Sequence, residues 1–175
     1  SLLDDKIRKK LNNINFIKGD VTSFNLYKKF DVIYSNHVLE HMADKDLKTH
    51  MDSIFNHMKR NSVLIINMPN RLFGPSDVTR ILDFSYTNKT EAKGSHFNES
   101  TYTEIIKMLK EYGLNSFTSP IPLTRVRHLF RGIRINSNII SKIEKSKFIM
   151  KMLHGFKING RCRSNFEISI IAQKK

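Results

Sequence analysis

A single cysteine, Cys162, stands among 175 residues. That count excludes an internal disulfide and fits a reducing compartment. Glycine is scarce too: there are seven, and no two lie close enough for a Gly-x-Gly turn. No apolar run approaches the ~20 residues needed to span a bilayer, and the chain opens without a basic-then-apolar signal segment. Together these predict a cytoplasmic protein. Acidic residues are also short, 16 against 30 Lys and Arg, which leaves a formal charge of +14. Such an excess predicts attraction to an anion: nucleic acid, a lipid surface or a phosphorylated substrate. There are no internal repeats and no low-complexity tails. With 39% apolar and 26% charged residues, the chain reads as one domain able to bury a core.

What is present is organised around Phe30-Asp31-Val32-Ile33-Tyr34-Ser35-Asn36-His37-Val38-Leu39-Glu40-His41-Met42. Val32 to Tyr34 is a short β-favouring run that stops at small polar residues and turns into a helix-like apolar pair. A buried strand ending this way belongs to a parallel sheet, and the carboxyl ends of such strands are where open α/β sheets bind ligands.

This phrase, with Phe16-Ile17-Lys18-Gly19-Asp20 before it and Val63-Leu64-Ile65-Ile66-Asn67-Met68-Pro69-Asn70-Arg71 after it, resembles class I S-adenosylmethionine-dependent methyltransferases, type 11-like. The likeness covers about residues 14 to 121 and the last strand. It implies an α/β Rossmann-like methyltransferase sheet, mostly parallel, with an antiparallel last strand. The family's glycine-rich cofactor turn and its ribose-binding acidic residue have no counterpart here. The expectation is therefore a partial methyltransferase domain over 1–175, a fragment lacking the first strands. A complete protein of another fold is the alternative.

Residues 1–11 read as a charged helix and Ile14–Ile17 as a strand ending at Gly19-Asp20. From Asp44 to Arg60, Leu47, Met51, Ile54, Phe55 and Met58 form one helical stripe. Asp44 is a plausible N-cap there, and Asn61 can take the left-handed turn after it. Residues 69–97 form a long loop, of a length usually functional or disordered. Thr101-Tyr102-Thr103-Glu104 reads as a capping box, and Gly113 as the end of that helix. Phe117, Ser119 and Ile121 alternate on one strand; Phe166, Ile168, Ile170 and Ala172 on the closing one.

The resemblance places S-adenosylmethionine against Asp20 and Val21, Asp20 accepting from the adenine amino group, and against Ser35 and Asn36. A plain turn aspartate is the other reading of Asp20. Methyl transfer is an in-line displacement, so alignment and exclusion of water dominate. A general base is needed only for a poorly ionised acceptor. His37 and His96 are the candidate bases, each to be weighed against a structural histidine. Asn70-Arg71-Leu72-Phe73-Gly74-Pro75-Ser76-Asp77 and Gly94-Ser95-His96-Phe97-Asn98-Glu99 resemble the acceptor-side loop of a bacterial methyltransferase subgroup. That makes Asn70 and Arg71 candidate substrate contacts, and an ordinary surface loop the alternative. His37-Val38-Leu39-Glu40-His41 also spells H-x-x-E-H, an inverted zinc-protease motif. It opens directly behind a strand and no obvious third-ligand helix follows, so no metal is expected.

A segment of about 123–163 carries eleven Lys or Arg against one acid, Glu144. Leu123, Val126, Leu129, Phe130 and Ile133 fall on one helical arc opposed by arginines, so a basic helical insert is expected. Residues 123–156 then suit peripheral contact with an anionic membrane. Nucleic acid is less favoured, because stacking platforms are few, and a plain solvated cap is the third reading. The functional expectation is methyl transfer to a small-molecule, saccharide or lipid-linked acceptor, as part of a longer parent protein. The alternative is a non-enzymatic basic binding module for nucleic acid or an anionic membrane surface.

Overall fold

The computed structural model describes residues 13–82, 90–123, 127–158, 161–162 and 167–174. The readings made for residues 1–11 and for Val126 and Phe166 lie outside them. Strand β1 is Phe30–Asn36 and β2 is Met58–Met68, joined by helix α1, Asp44–Asn56. Then come α2 (Tyr102–Glu111), β3 (Ser116–Pro120), β4 (Arg134–Asn136), α3 (Ser137–Lys145) and α4 (Lys147–Gly155). A two-residue hairpin, β5 (Lys157–Ile158) with β6 (Arg161–Cys162), precedes the closing strand β7, Ile168–Gln173.

The main sheet runs β1-β2-β7-β3-β4. β1 and β2 are parallel, as a helical crossover requires, and every other pairing in it is antiparallel. Among the described residues the sheet is thus mixed α/β, with one parallel pairing of four rather than mostly parallel, and the antiparallel last strand is in place. Alternation sets the core. Leu64, Ile66 and Met68 of β2 and Ile168, Ile170 and Ala172 of β7 are at most 1% exposed, so one sheet face is fully covered. They cluster with Met51 and Ile54 of α1 and Ile105, Ile106 and Leu109 of α2. Phe55 stacks on Tyr112 with ring centroids 4.2 Å apart.

The α2 capping box forms as its sequence dictates, and Gly113 (φ +81°) follows the helix. Helix α1 is shorter than its stripe. His57 caps it and donates from Nδ1 to Ser53 O, while its Nε2 accepts from Leu26 N. Met58 then begins β2. The register against β1 slips between Phe30 and Val32, and Asn61 takes the left-handed conformation (φ 62°) beside the slip. The N-cap of α1 is Ala43, not Asp44, and no side chain caps it.

Two further expectations are corrected. Ile14–Ile17 forms no strand: Ile14, Phe16 and Ile17 are 47–64% exposed, and no described strand offers them a ladder. The arc from Leu123 to Ile133 does not become one helix either. Arg127–Phe130 is a single 3₁₀ turn, Gly132 reverses the chain at φ +84°, and Arg134–Asn136 pairs with β3. The start of the insert therefore extends the sheet edge, and its helices begin only at Ser137. No helix among the described residues is long and apolar enough to cross a membrane.

Candidate active site

β1 and β2 end side by side, and the chain leaving β1 must turn at once. His37 takes φ 52°, its N–H donating to Asn67 O at 2.9 Å. A bulky residue at positive φ is uncommon and is tolerated only where its surroundings fix it. The next turn, Leu39–His41, is 3₁₀ and buries Leu39 and Glu40. The H-x-x-E-H phrase is therefore not a continuous helix.

The long loop after β2 folds back onto this turn. Asp77 caps a short 3₁₀ turn through Thr79 N and also accepts from Gly94 N (2.6 Å), Ser95 N and His96 N. Burial alone would raise its pKa, but these hydrogen bonds outweigh it and hold the carboxyl at about 2. Glu99 accepts from Ser76 N and from His96 Nδ1. Phe97 N and Asn98 N both donate to Glu40 O.

A cleft of about 320 Å³ results, its walls including His37, Glu40, His41, Asn70, Arg80 and His96. The three histidines share one arrangement. His37 Nδ1 donates to Glu40 Oε1 (2.9 Å), His41 Nδ1 to Ser95 O (3.0 Å) and His96 Nδ1 to Glu99 Oε1 (2.6 Å). With Nδ1–H committed, each neutral ring keeps Nε2 as an acceptor. The His41 and His96 rings meet edge to face at 4.7 Å. Glu40, His41 and His96 each offer one ligand atom, and these lie within 4.8 Å of one another. Glu40 is 0% exposed, and its Oε2 has no hydrogen-bond partner.

The structure thus brings His37 and His96 into one cleft, with Ser35 and Asn36 at the strand end beside it. Ser35 Oγ is buried without a partner, whereas Asn36 Oδ1 accepts from Tyr34 OH and Asn67 Nδ2. Asp20 does not line the cleft. It sits exposed in an Asx turn, where hydrogen bonds from the Thr22 hydroxyl and N–H hold its pKa below the ordinary value. Val21 is half exposed, its carbonyl accepting from His50 Nδ1 at 2.6 Å. Asn70 lines the cleft, but its side chain is committed: Nδ2 donates to Glu144 Oε1 and Oδ1 accepts from Leu72 N. Arg71 is ion-paired with Glu104. Sequence reasoning passed over Glu99 and Asp77 as positioning residues. The signal was there, as a carboxylate three residues after His96 and another followed by Val-Thr.

A family description, methyltransferase domain, matches residues 5–118, more than half of the chain. Among solved structures, an S-adenosylmethionine-dependent methyltransferase from Archaeoglobus fulgidus is similar at 19% identity, over 99% of this chain and 73% of its own, with TM-score 0.52. One from Clostridium acetobutylicum is similar at 14%, over 97% and 69%, with TM-score 0.54. The O-methyltransferase of a Brevibacillus brevis trans-AT polyketide synthase, solved with S-adenosyl-L-homocysteine, shares 13% over 97% of this chain and 52% of its own, with TM-score 0.53. The chain spans only part of each, and identities this low establish the shared fold. No curated protein matches the sequence. With its motifs, its sheet and its family match in agreement, the chain belongs to the methyltransferase-domain family, whose methyl donor is S-adenosylmethionine.

Proposed function

We propose that the protein carrying this domain transfers a methyl group from S-adenosylmethionine to an oxygen or nitrogen of a small-molecule, saccharide or lipid-linked acceptor bound in the cleft. The observation that carries the reading is the cleft's place, at the carboxyl ends of the parallel pair β1 and β2, with His37, His41 and His96 in its lining. The cofactor fits the described residues in part. Ser35 offers a buried hydroxyl with no partner, the sort of group a ligand satisfies. No glycine-rich turn lies among the described residues. Ser35, Asn36 and the backbone at His37 would hold the cofactor. When bound, it supplies a methyl carbon on a positively charged sulfur, which the acceptor's nucleophilic atom displaces in line, the electron pair staying with sulfur.

The chain's own residues do the rest. His37, about half exposed and steadied by Glu40 Oε1, takes the acceptor's proton at Nε2. The loop 94–98, clamped on Glu40 O, walls the cleft from water. The protein expressed from its full open reading frame is to be titrated with S-adenosylmethionine and its demethylated product, then assayed with labelled donor and a panel of hydroxyl and amine acceptors. Saturable binding with competition between the two supports the proposal. Salt-sensitive binding to nucleic acid alone, with no cofactor binding, would replace it by a basic binding module.

A second reading concerns partners. Phe148 (73% exposed), Met152 (62%) and Phe156 (56%) stand out on α4 and at its end, among Lys147, Lys151 and Lys157. Exposed apolar side chains flanked by lysines favour peripheral contact with an anionic membrane.

A further inference from the structure

We infer that Glu40, His41 and His96 form a binding site for one divalent transition-metal ion at the floor of the cleft. The strongest observation is Glu40. Its side chain is fully buried, Oε1 is taken by His37 Nδ1, and Oε2 has no donor among the described residues. A buried carboxylate oxygen left without a partner is costly, and a cation supplies what is missing. The neighbouring rings point the same way. His41 Nδ1 is fixed by a backbone carbonyl and His96 Nδ1 by a carboxylate. Those are the outer contacts that set the tautomer and basicity of metal-binding imidazoles. Glu99 is itself 4% exposed and braced by Ser76 N, so the outer contact is rigid.

The distances permit closure. A shared ion bound at about 2.0–2.2 Å holds its ligand atoms roughly 3–3.5 Å apart, against 4.8 Å or less here. Two neutral imidazoles and one carboxylate suit zinc, cobalt, iron or manganese rather than calcium or magnesium. Three protein ligands leave positions open toward the cleft. On the methyl-transfer reading, an ion held here would lower the pKa of an acceptor hydroxyl, and His37 Nε2 would be the group in the cleft to take its proton.

The proposal departs from the expectation of no metal. The third ligand comes from a loop residue 55 positions after His41, not from a following helix, and His37 supports the site without being one of its ligands.

The test uses cobalt(II) on the purified, chelator-treated protein, read by visible ligand-field absorption and by metal content after desalting. One ion per chain is expected. H41A and H96A should each weaken binding tenfold or more. E99A, which removes the acceptor for His96 Nδ1 without touching a proposed ligand, should weaken it about 10- to 100-fold. H128Q, at an exposed histidine of the insert, should not change it. The exposed His41 keeps the test valid should H96A fail to fold. Absence of stoichiometric uptake, or a loss in H128Q equal to that in H41A, overturns the site. Cobalt uptake without cofactor binding would leave the site standing and remove the methyl-transfer reading, so the two failures are distinguishable.

Discussion

The insert's one acid is the contact through which the basic segment is tied to the rest of the fold. Glu144, in α3, is 9% exposed and accepts from Asn70 Nδ2 (2.7 Å), Tyr102 N and Thr103 N (both 3.2 Å). The last two are first-turn N–H groups of α2, which no helical carbonyl can satisfy. E144A strands two buried donors and one half-buried one. At about 1–3 kcal/mol each, with partial relief by water, a loss of about 3–4 kcal/mol is expected, a large share of a typical ~5–15 kcal/mol stability. For a chain of this size that lowers Tm by about 10 °C. E144Q keeps one acceptor oxygen and should cost only about 1 kcal/mol.

Burial raises the pKa of Glu144 above its ordinary 4.5 in spite of the three hydrogen bonds. The folded state then binds the proton more tightly than the unfolded one. Glu144 therefore contributes a loss of stability as pH rises from about 4.5 through the raised value, and E144Q should lack that slope. Urea unfolding of the parent and both variants across this range measures each quantity. An E144A protein within 1 kcal/mol of the parent, or an E144Q protein as damaged as E144A, would refute the reasoning.

Ser35→Ala removes a buried hydroxyl without a partner, so Tm should hold or rise slightly, while cofactor affinity falls about fivefold in a titration. Gly94→Ala would place Cβ 2.5 Å from Val78 Cγ2 and 2.7 Å from Asp77 Oδ2. The loop must shift, and cobalt uptake should fall more than Tm does, as calorimetry and absorption would show. Arg71→Ala breaks a partly exposed pair with Glu104 and should cost under about 1 kcal/mol in urea unfolding; a larger loss would assign Arg71 a further role. Charge reversal at Lys147 and Lys151 should remove binding to vesicles containing anionic lipid while leaving a chain that melts as before. Unchanged vesicle binding would exclude α4 as the contact.

Local rules made the ladder-forming and capped elements legible. β1, the capping box of α2, Gly113 and the alternation of Ile168, Ile170 and Ala172 all follow from nearest neighbours in sequence. The misreadings came where tertiary contacts compete with periodicity. Met58 continues the stripe of α1, yet His57 finds Ser53 and Leu26 and ends the helix one turn early. Leu129 and Ile133 keep a helical spacing, but Gly132 and the free edge of β3 turn the chain into β4. In the site, His37 and Glu40 were readable because they lie on one turn. His96 is legible as a candidate base but not as a neighbour of His41, since nothing local encodes a contact 55 residues away.

That distant contact bears on how the described parts of the connection, 69–82 and 90–97, are held. Phe73 (2% exposed) anchors the start of the loop in the core, but Val78, Ile81, Leu82 and Phe97 are 67–85% exposed, so apolar burial does not hold its far part. Polar side chains do. Asp77 gathers four N–H groups, Thr79 Oγ1 accepts from Lys93 N, Glu99 joins Ser76 to His96, and Glu40 O receives two more. Such bonds contribute roughly 1 kcal/mol each at best, and they are directional where burial is not. A loop held this way has its backbone fixed near the cleft but little surplus stability. Ordering His96 and binding an ion are then parts of one equilibrium. A metal that ligates His96 and Glu40 should stabilise the loop by the same free energy that the ordered loop adds to metal affinity. Amide exchange at residues 94–98 should therefore slow on adding cobalt in the parent and not in H41A. Equal slowing in both would show that the loop's order does not depend on the cluster.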